Sequence, residues 1–162
     1  MGHLARTLIR AYPQANTRTH LRSQTTALHF GKGNMDPVLL IVGLALIQFF
    51  VFGALAGKAR ATYGVEAPAV TGHPGFERRF RVQQNTLEQL VIFIPSILMF
   101  QLYWSPNVAA ALGVVFIVGR LIYYRGYVEE PGKRSLGFGI GLLAQLILLL
   151  GAVSGALLAL FD

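Results

Sequence analysis

Phe76–Leu90 reads FERRFRVQQNTLEQL, dense in arginine, glutamate and amide side chains, and it runs without a break into VIFIPSILMF, Val91–Phe100. The apolar part, from about Leu90 to Tyr103, is shorter than the ~20 residues a helix needs to cross a bilayer core. The shortfall disappears if one helix runs from Phe76 to Tyr103, with Pro95 its only interruption. At 1.5 Å per residue such a helix is roughly 42 Å long, enough to cross the hydrocarbon and carry polar turns beyond it. The polar residues then belong to the helix itself, at the membrane boundary.

Three other apolar stretches surround this one, from about Val38 to Ala56, Val108 to Tyr124 and Leu136 to Phe161. Ala67-Pro68 and His73-Pro74-Gly75 punctuate the first connection, Ser105-Pro106-Asn107 makes a tight second turn, and Glu130-Pro131-Gly132 breaks the third. The expected fold is all-α: an integral membrane, up-down four-helix bundle over residues 35–162, with both ends of the bundle chain on one side. Composition agrees, since 54% of residues are apolar and only 13% charged, far from a soluble globular average. There is no cysteine, which excludes disulfides, thiolate metal sites and a cysteine nucleophile. Any sulfur chemistry must arrive with a ligand. No metal site is expected. The net charge of +7 would suit nucleic acid only with a basic, aromatic-laced soluble face, and the charges cluster at helix ends instead.

Lys and Arg also orient the bundle. Lys58, Arg60, Arg78, Arg79 and Arg81 lie after the first helix or at the start of the second, and Arg125, Lys133 and Arg134 lie around the third connection, while the second turn has none. The loops after helices one and three are therefore expected in the cytoplasm. Residues 1–34 conflict with this, carrying Arg6, Arg10, Arg18, Arg22 and Lys32 without an acid on the opposite side. Their Arg, Ser and Thr content resembles an organelle transit peptide. The preferred reading makes Met35 the start, because GKGN before it corresponds to purine-rich codons of the kind in a bacterial ribosome-binding site. Disorder of Met1–Asn34 is expected either way.

Helical spacing puts Arg78, Arg81, Asn85 and Glu88 on one stripe of the second helix, and Arg120, Tyr123 and Tyr127 on one stripe of the third at the same membrane side. Singly, these residues have ordinary explanations as interface anchors, an aromatic belt or a snorkelling arginine. Glu88 and Arg120 are harder to explain that way, since an ionisable group in a membrane helix costs about 2.5–3.5 kcal/mol on insertion scales and usually faces a partner or cavity. A Glu88–arginine pair is the simplest structural answer, yet several cations surround that one acid. The surplus positive charge asks for an anionic ligand with carboxylates for bidentate arginine contact.

FERRFRVQQNTLE, followed by GRLIYYRGY (Gly119–Tyr127) and then Lys133-Arg134, resembles the MAPEG family, the membrane-associated proteins in eicosanoid and glutathione metabolism, over about Met35 to Phe161. GKARATYGVEAPAVTGHPGFERRFRVQQNTLEQL (Gly57–Leu90) is most similar to the bacterial branch. The resemblance implies a homotrimer binding glutathione between neighbouring subunits at the cytoplasmic side, in a bacterial inner membrane. It places Arg81, Gln83, Asn85, Glu88, Arg120, Tyr123 and Tyr127 at glutathione, with Arg60 as a further ligand-binding arginine and Arg134 as the thiolate-stabilising, catalytic one. The implied activity is glutathione transfer, with peroxidase activity as a variant, on a lipophilic small molecule reached through a lipid-facing crevice; the alternative is a non-catalytic lipid-binding protein like the lipoxygenase-activating member. Departures from the leukotriene-conjugating synthase at Ala61, where it has an arginine, and Gln89, where it has a tyrosine, point away from leukotriene synthesis. Gly53 and Gly57, Gly137 and Gly141, and Gly151 and Gly155, each pair four apart, are expected to let helices approach closely in the oligomer. Mid-helix Gln48 and Gln145 are expected to be interhelical hydrogen-bond donors.

Overall fold

The computed structural model describes residues 36–161; the expectation for Met1–Asn34 lies outside them. Four long helices follow in order: α1 (Asp36–Thr62), α2 (Pro74–Tyr103), α3 (Pro106–Glu129) and α4 (Ser135–Leu158), with a short 3-10 turn at Pro131–Arg134. All four are long and apolar enough to cross a membrane. The single helix expected from Phe76 to Tyr103 is present, and Pro95 lies inside it.

Local chemistry sets the ends. Pro74 occupies the first turn of α2, where a missing N–H costs nothing, and the His73 Nδ1 accepts a 3.0 Å hydrogen bond from the Gly75 N–H. Pro106 starts α3 in the same way. The Arg78 guanidinium donates to the last carbonyls of α3, at Val128 (3.1 Å) and Glu129 (2.8 Å), supplying a cation where the helix dipole is negative. Three helix C-termini differ from the sequence expectation. α1 runs on to Thr62, so Lys58 and Arg60 stand on its last turns and not in the loop; α3 runs on to Glu129 and takes in Arg125; α4 stops at Leu158. Long basic side chains are good helix formers and carry their charge clear of the hydrocarbon, so a helix need not stop where apolarity does.

α1 packs on α2 and α3, and α4 packs on the same two helices. The central core joins Val38, Ile41 and Ala45 of α1 to Leu90, Phe93, Ile97 and Phe100 of α2, Ala109 and Phe116 of α3, and Ala144, Leu148 and Ala152 of α4. Phe93 and Phe116 stack there at 4.0 Å between centroids. The outward faces keep large apolar side chains exposed, among them Leu40, Ile47, Phe50, Val91, Leu143 and Leu150. In water that would be a liability; in lipid, with backbone hydrogen bonds satisfied inside each helix, it is the expected surface.

The glycine expectation needs correction. A Cβ on Gly137 would run into the Tyr123 backbone, and one on Gly151 or Gly155 would meet Phe100 or Tyr103. These glycines, with Gly141 lying against Gly119, serve close packing inside the protomer, because α4 must approach α3 and the end of α2 nearly at backbone contact. Of the six, Gly57 is open on all sides. Gln48 behaves as expected, donating from Nε2 to the Ile117 carbonyl at 3.0 Å. Gln145 is buried with its Oε1 unpartnered.

Candidate functional site

A cleft of about 550 Å³ opens at the end of the bundle where α2 begins, α3 ends and α4 begins, lined by Arg81, Asn85, Glu88, Tyr123, Tyr127, Arg134, Ser135 and Phe138. Three helices supply it because each has a face turned there. Positions 81, 85 and 88 share a stripe of α2, positions 123 and 127 share one of α3, and Arg134 closes the 3-10 turn from which α4 starts. Six of the nine residues singled out in the sequence meet in this one space.

The other three do not line it within one protomer. Gln83 lies two positions beyond Arg81, roughly 200° round the helix, and packs toward Gly53 of α1. Arg60 bonds the loop after α1, donating to the carbonyls of Val65 (3.3 Å), Glu66 (3.4 Å) and Ala69 (2.8 Å) while its guanidinium sits 4.4 Å above the Phe76 ring. Arg120 is only 1% exposed and stands behind the cleft. It donates to Asn85 Oδ1 at 3.1 Å and to Thr86 Oγ1 at 2.8 Å, and its guanidinium lies 4.2 Å from the centre of the Tyr123 ring.

Arg120 is thus the beam on which two cleft residues rest. Its contact orients the Asn85 amide, so that the Asn85 Nδ2 points to Glu88 Oε2 at 3.2 Å. Thr86, which carries no role in the sequence reading, is fully buried and donates a hydroxyl hydrogen bond to the Val82 carbonyl at 2.7 Å while accepting one from Arg120. Each charge-assisted bond contributes about 1.5–3 kcal/mol, and together they offset part of the desolvation of a buried cation whose Nε–H has no partner. The sequence did hold a signal for Thr86. It interrupts the core stripe Val82, Leu90, Phe93, Ile97 at a position that should be apolar.

The ionised groups facing the cleft are arranged differently. Glu88 lies in the same space as Arg81 and Arg134, yet no ion pair joins them; the ion pairs found among the described residues are those of Lys133 with Glu129 and Glu130. Arg134 stacks over Tyr127 at 5.3 Å, which holds its charge in place while leaving its N–H groups available. The structural pairing of Glu88 with an arginine is therefore not made. Two guanidiniums and one carboxylate, none of them in an ion pair, thus line one cleft, a set complementary in charge to a zwitterion with excess negative charge. No cluster of metal-ligating side chains occurs among the described residues.

Residues 38–154 match the MAPEG family. The chain belongs to that family. Among its MAPEG relatives, an uncharacterized protein of the cyanobacterium Synechocystis is 46% identical over 114 residues, covering 70% of this chain and 83% of that protein. Human microsomal glutathione S-transferase 2 is 44% identical over 123 residues, or 75% and 83% of the two chains. Bovine leukotriene C4 synthase is 29% identical over 102 residues, 61% and 68% of each. The MAPEG match takes in all or most of each of the four helices and every cleft residue.

Proposed function

We propose that this MAPEG protein is a membrane-bound glutathione transferase whose cleft holds glutathione and activates its thiol. The observation that carries the reading is the set of convergent but unpaired charges Arg81, Glu88 and Arg134. Glutathione has two carboxylates, one ammonium and, once ionised, a thiolate, so Arg81 suits one carboxylate, Glu88 the ammonium and Arg134 the thiolate, with Arg60 of a neighbouring subunit left for the second carboxylate and Asn85 for a peptide group that would otherwise be buried unpaired. The similarity to microsomal glutathione S-transferase 2 supports the same substrate.

In this reading Arg134 faces the sulfur. A free thiol titrates near ~8.5, and lowering it by roughly two units takes about 2.7 kcal/mol of selective thiolate stabilisation. One guanidinium in a partly desolvated site contributes on that order, and the positive end of α4, which starts at Ser135, adds in the same direction. The thiolate then attacks a lipophilic electrophile: with an aryl halide a C–S bond forms and halide departs with the displaced electron pair, and with an enone the C–S bond forms at the β-carbon while the enolate takes a proton from water. With a lipid hydroperoxide, two glutathiones are oxidised to the disulfide as the O–O bond is reduced to alcohol and water.

Arg60 and Gln83 face away from their own protomer's cleft, which fits a homotrimer in which they serve the site of the neighbouring subunit. The basic loops after α1 and α3 lie in the cytoplasm of a bacterial inner membrane by the same reading, beside the soluble glutathione pool. The test is glutathione binding and conjugation by the purified protein with a panel of lipophilic aryl halides, enones and hydroperoxides. Product formation dependent on Arg134 is expected. Tight glutathione binding with no product from any of them would support the non-catalytic alternative, and no binding would refute the assignment.

A further inference from the structure

A second cavity, of about 260 Å³, shares no residue with the glutathione cleft and is lined by Leu55, Lys58, Ala59, Thr62, Tyr63, Arg79 and Tyr124. Its two cations come from different helices, and neither forms an ion pair with an acid among the described residues. Arg79 uses one N–H on the Gly75 carbonyl at 2.7 Å, leaving the rest of its guanidinium available. Thr62, Tyr63 and Tyr124 border the same space, with Leu55 and Ala59 as its apolar lining; the Thr62 hydroxyl is spent on the Lys58 carbonyl at 2.9 Å, so hydroxyl donors for a ligand fall to the two tyrosines.

The position of this cavity decides what fits it. Leu44, Val51, Leu55, Lys58 and Thr62 follow one another at intervals of seven, four, three and four residues, which places them on one face of α1. Leu44 and Val51 are exposed, so this face is an apolar track that ends in a cationic, hydroxyl-lined cup at the membrane boundary. A soluble anion would use the cup and leave the track empty. An amphiphile with a phosphate at one end and an acyl chain at the other uses both.

We propose that the cavity between α1, α2 and α3 is a specific site for the phosphate of an anionic glycerophospholipid, its acyl chain lying along Leu55, Val51 and Leu44. Lys58 and Arg79 neutralise the phosphate, the tyrosine hydroxyls donate to its oxygens or to the glycerol, and the lipid lies against the bundle as a bound component. The site stands independently of the glutathione reading. A delocalised attraction of basic residues to an anionic surface gives about fivefold per Lys or Arg near the membrane, wherever the charge lies. A built site must depend on which charge is removed.

The experiment is lipid retention by the purified full chain, measured by native mass spectrometry during titration with phosphatidylglycerol or phosphatidylcholine in detergent. One phosphatidylglycerol per chain is expected to be retained over phosphatidylcholine. Lys58→Gln or Arg79→Gln should weaken that retention by roughly tenfold, whereas Arg125→Gln, which removes an exposed cation at the same membrane side, should change it by no more than about twofold. Arg79→Lys keeps the charge without the guanidinium's bond to Gly75, and should retain the lipid; helix content by circular dichroism identifies any variant that has lost the fold. Equal losses from all three neutralising substitutions would overturn the site in favour of delocalised attraction. Displacement of the lipid by glycerol 3-phosphate at comparable concentration would overturn the lipid assignment and make the occupant a soluble phosphate.

Discussion

Arg81 and Arg120 are both arginines on polar stripes at the same end of the bundle, and they have opposite circumstances. Arg120 is buried with two hydrogen-bond acceptors and a stacked tyrosine, while Arg81 lines an open cleft without an acidic partner. Their substitutions should separate accordingly. Arg81→Ala or Glu88→Ala is expected to weaken glutathione binding by roughly 1.5–3 kcal/mol, the range of a charge-assisted hydrogen bond, with little change in thermal stability. Calorimetric titration of folded protein checks this; unchanged affinity would leave these residues a structural role only. Thr86→Val should instead lower stability by about 1–3 kcal/mol, because it strands a guanidinium N–H of Arg120 in the interior, and Thr86→Ser should restore it. Sequence spacing alone made the stripe of Arg81, Asn85 and Glu88 legible. It could not tell a cation that faces a ligand from one that props up its neighbours, since that depends on what α2 offers at residue 86 to a side chain 34 residues later.

The elements were legible to within their ends. Punctuation by Pro74, Pro106 and Pro131, with apolar length between, is enough to count four helices and to extend α2 through its polar opening. Helix packing was not legible, because a pair of small residues four apart looks the same whether it meets a neighbouring subunit or the next helix of its own chain. Gly137 decides the matter locally: an added Cβ there meets the backbone of Tyr123, which cannot swing aside as a side chain can. Gly137→Ala should therefore destabilise the bundle by about 1–3 kcal/mol or more and, by pushing α4 from α3, disturb the cleft between them. Gly139→Ala has nothing within 4 Å of the new methyl group and should be neutral or stabilising by roughly 0.5–1 kcal/mol. Thermal unfolding of the two variants in detergent tests the pair, and equal behaviour would contradict the close approach described here.

Whole-molecule consequences follow from where the site residues point. If Arg60 and Gln83 serve a neighbour's cleft, co-assembly of Arg60→Ala and Glu88→Ala protomers should regain part of the activity that each lacks alone, since some interfaces then combine an intact Arg60 with an intact Glu88. Failure of mixed trimers to regain any activity would place each site within one subunit. A chain starting at Met35 should insert, assemble and bind glutathione as the full chain does, because the family match and all the cleft residues lie beyond it; loss of assembly would give the extension a structural part. The thiolate that we propose Arg134 holds in the cleft can be read without knowing the second substrate, by titrating the ultraviolet thiolate absorbance of bound glutathione at saturation in the wild type and in Arg134→Ala. The wild type should show about three quarters of the thiol ionised at neutral pH, and the variant should bind nearly as well while its thiol titrates roughly two units higher, leaving only about 3% ionised there. An unchanged titration in the variant, or no thiolate signal in the wild type, would contradict that proposal.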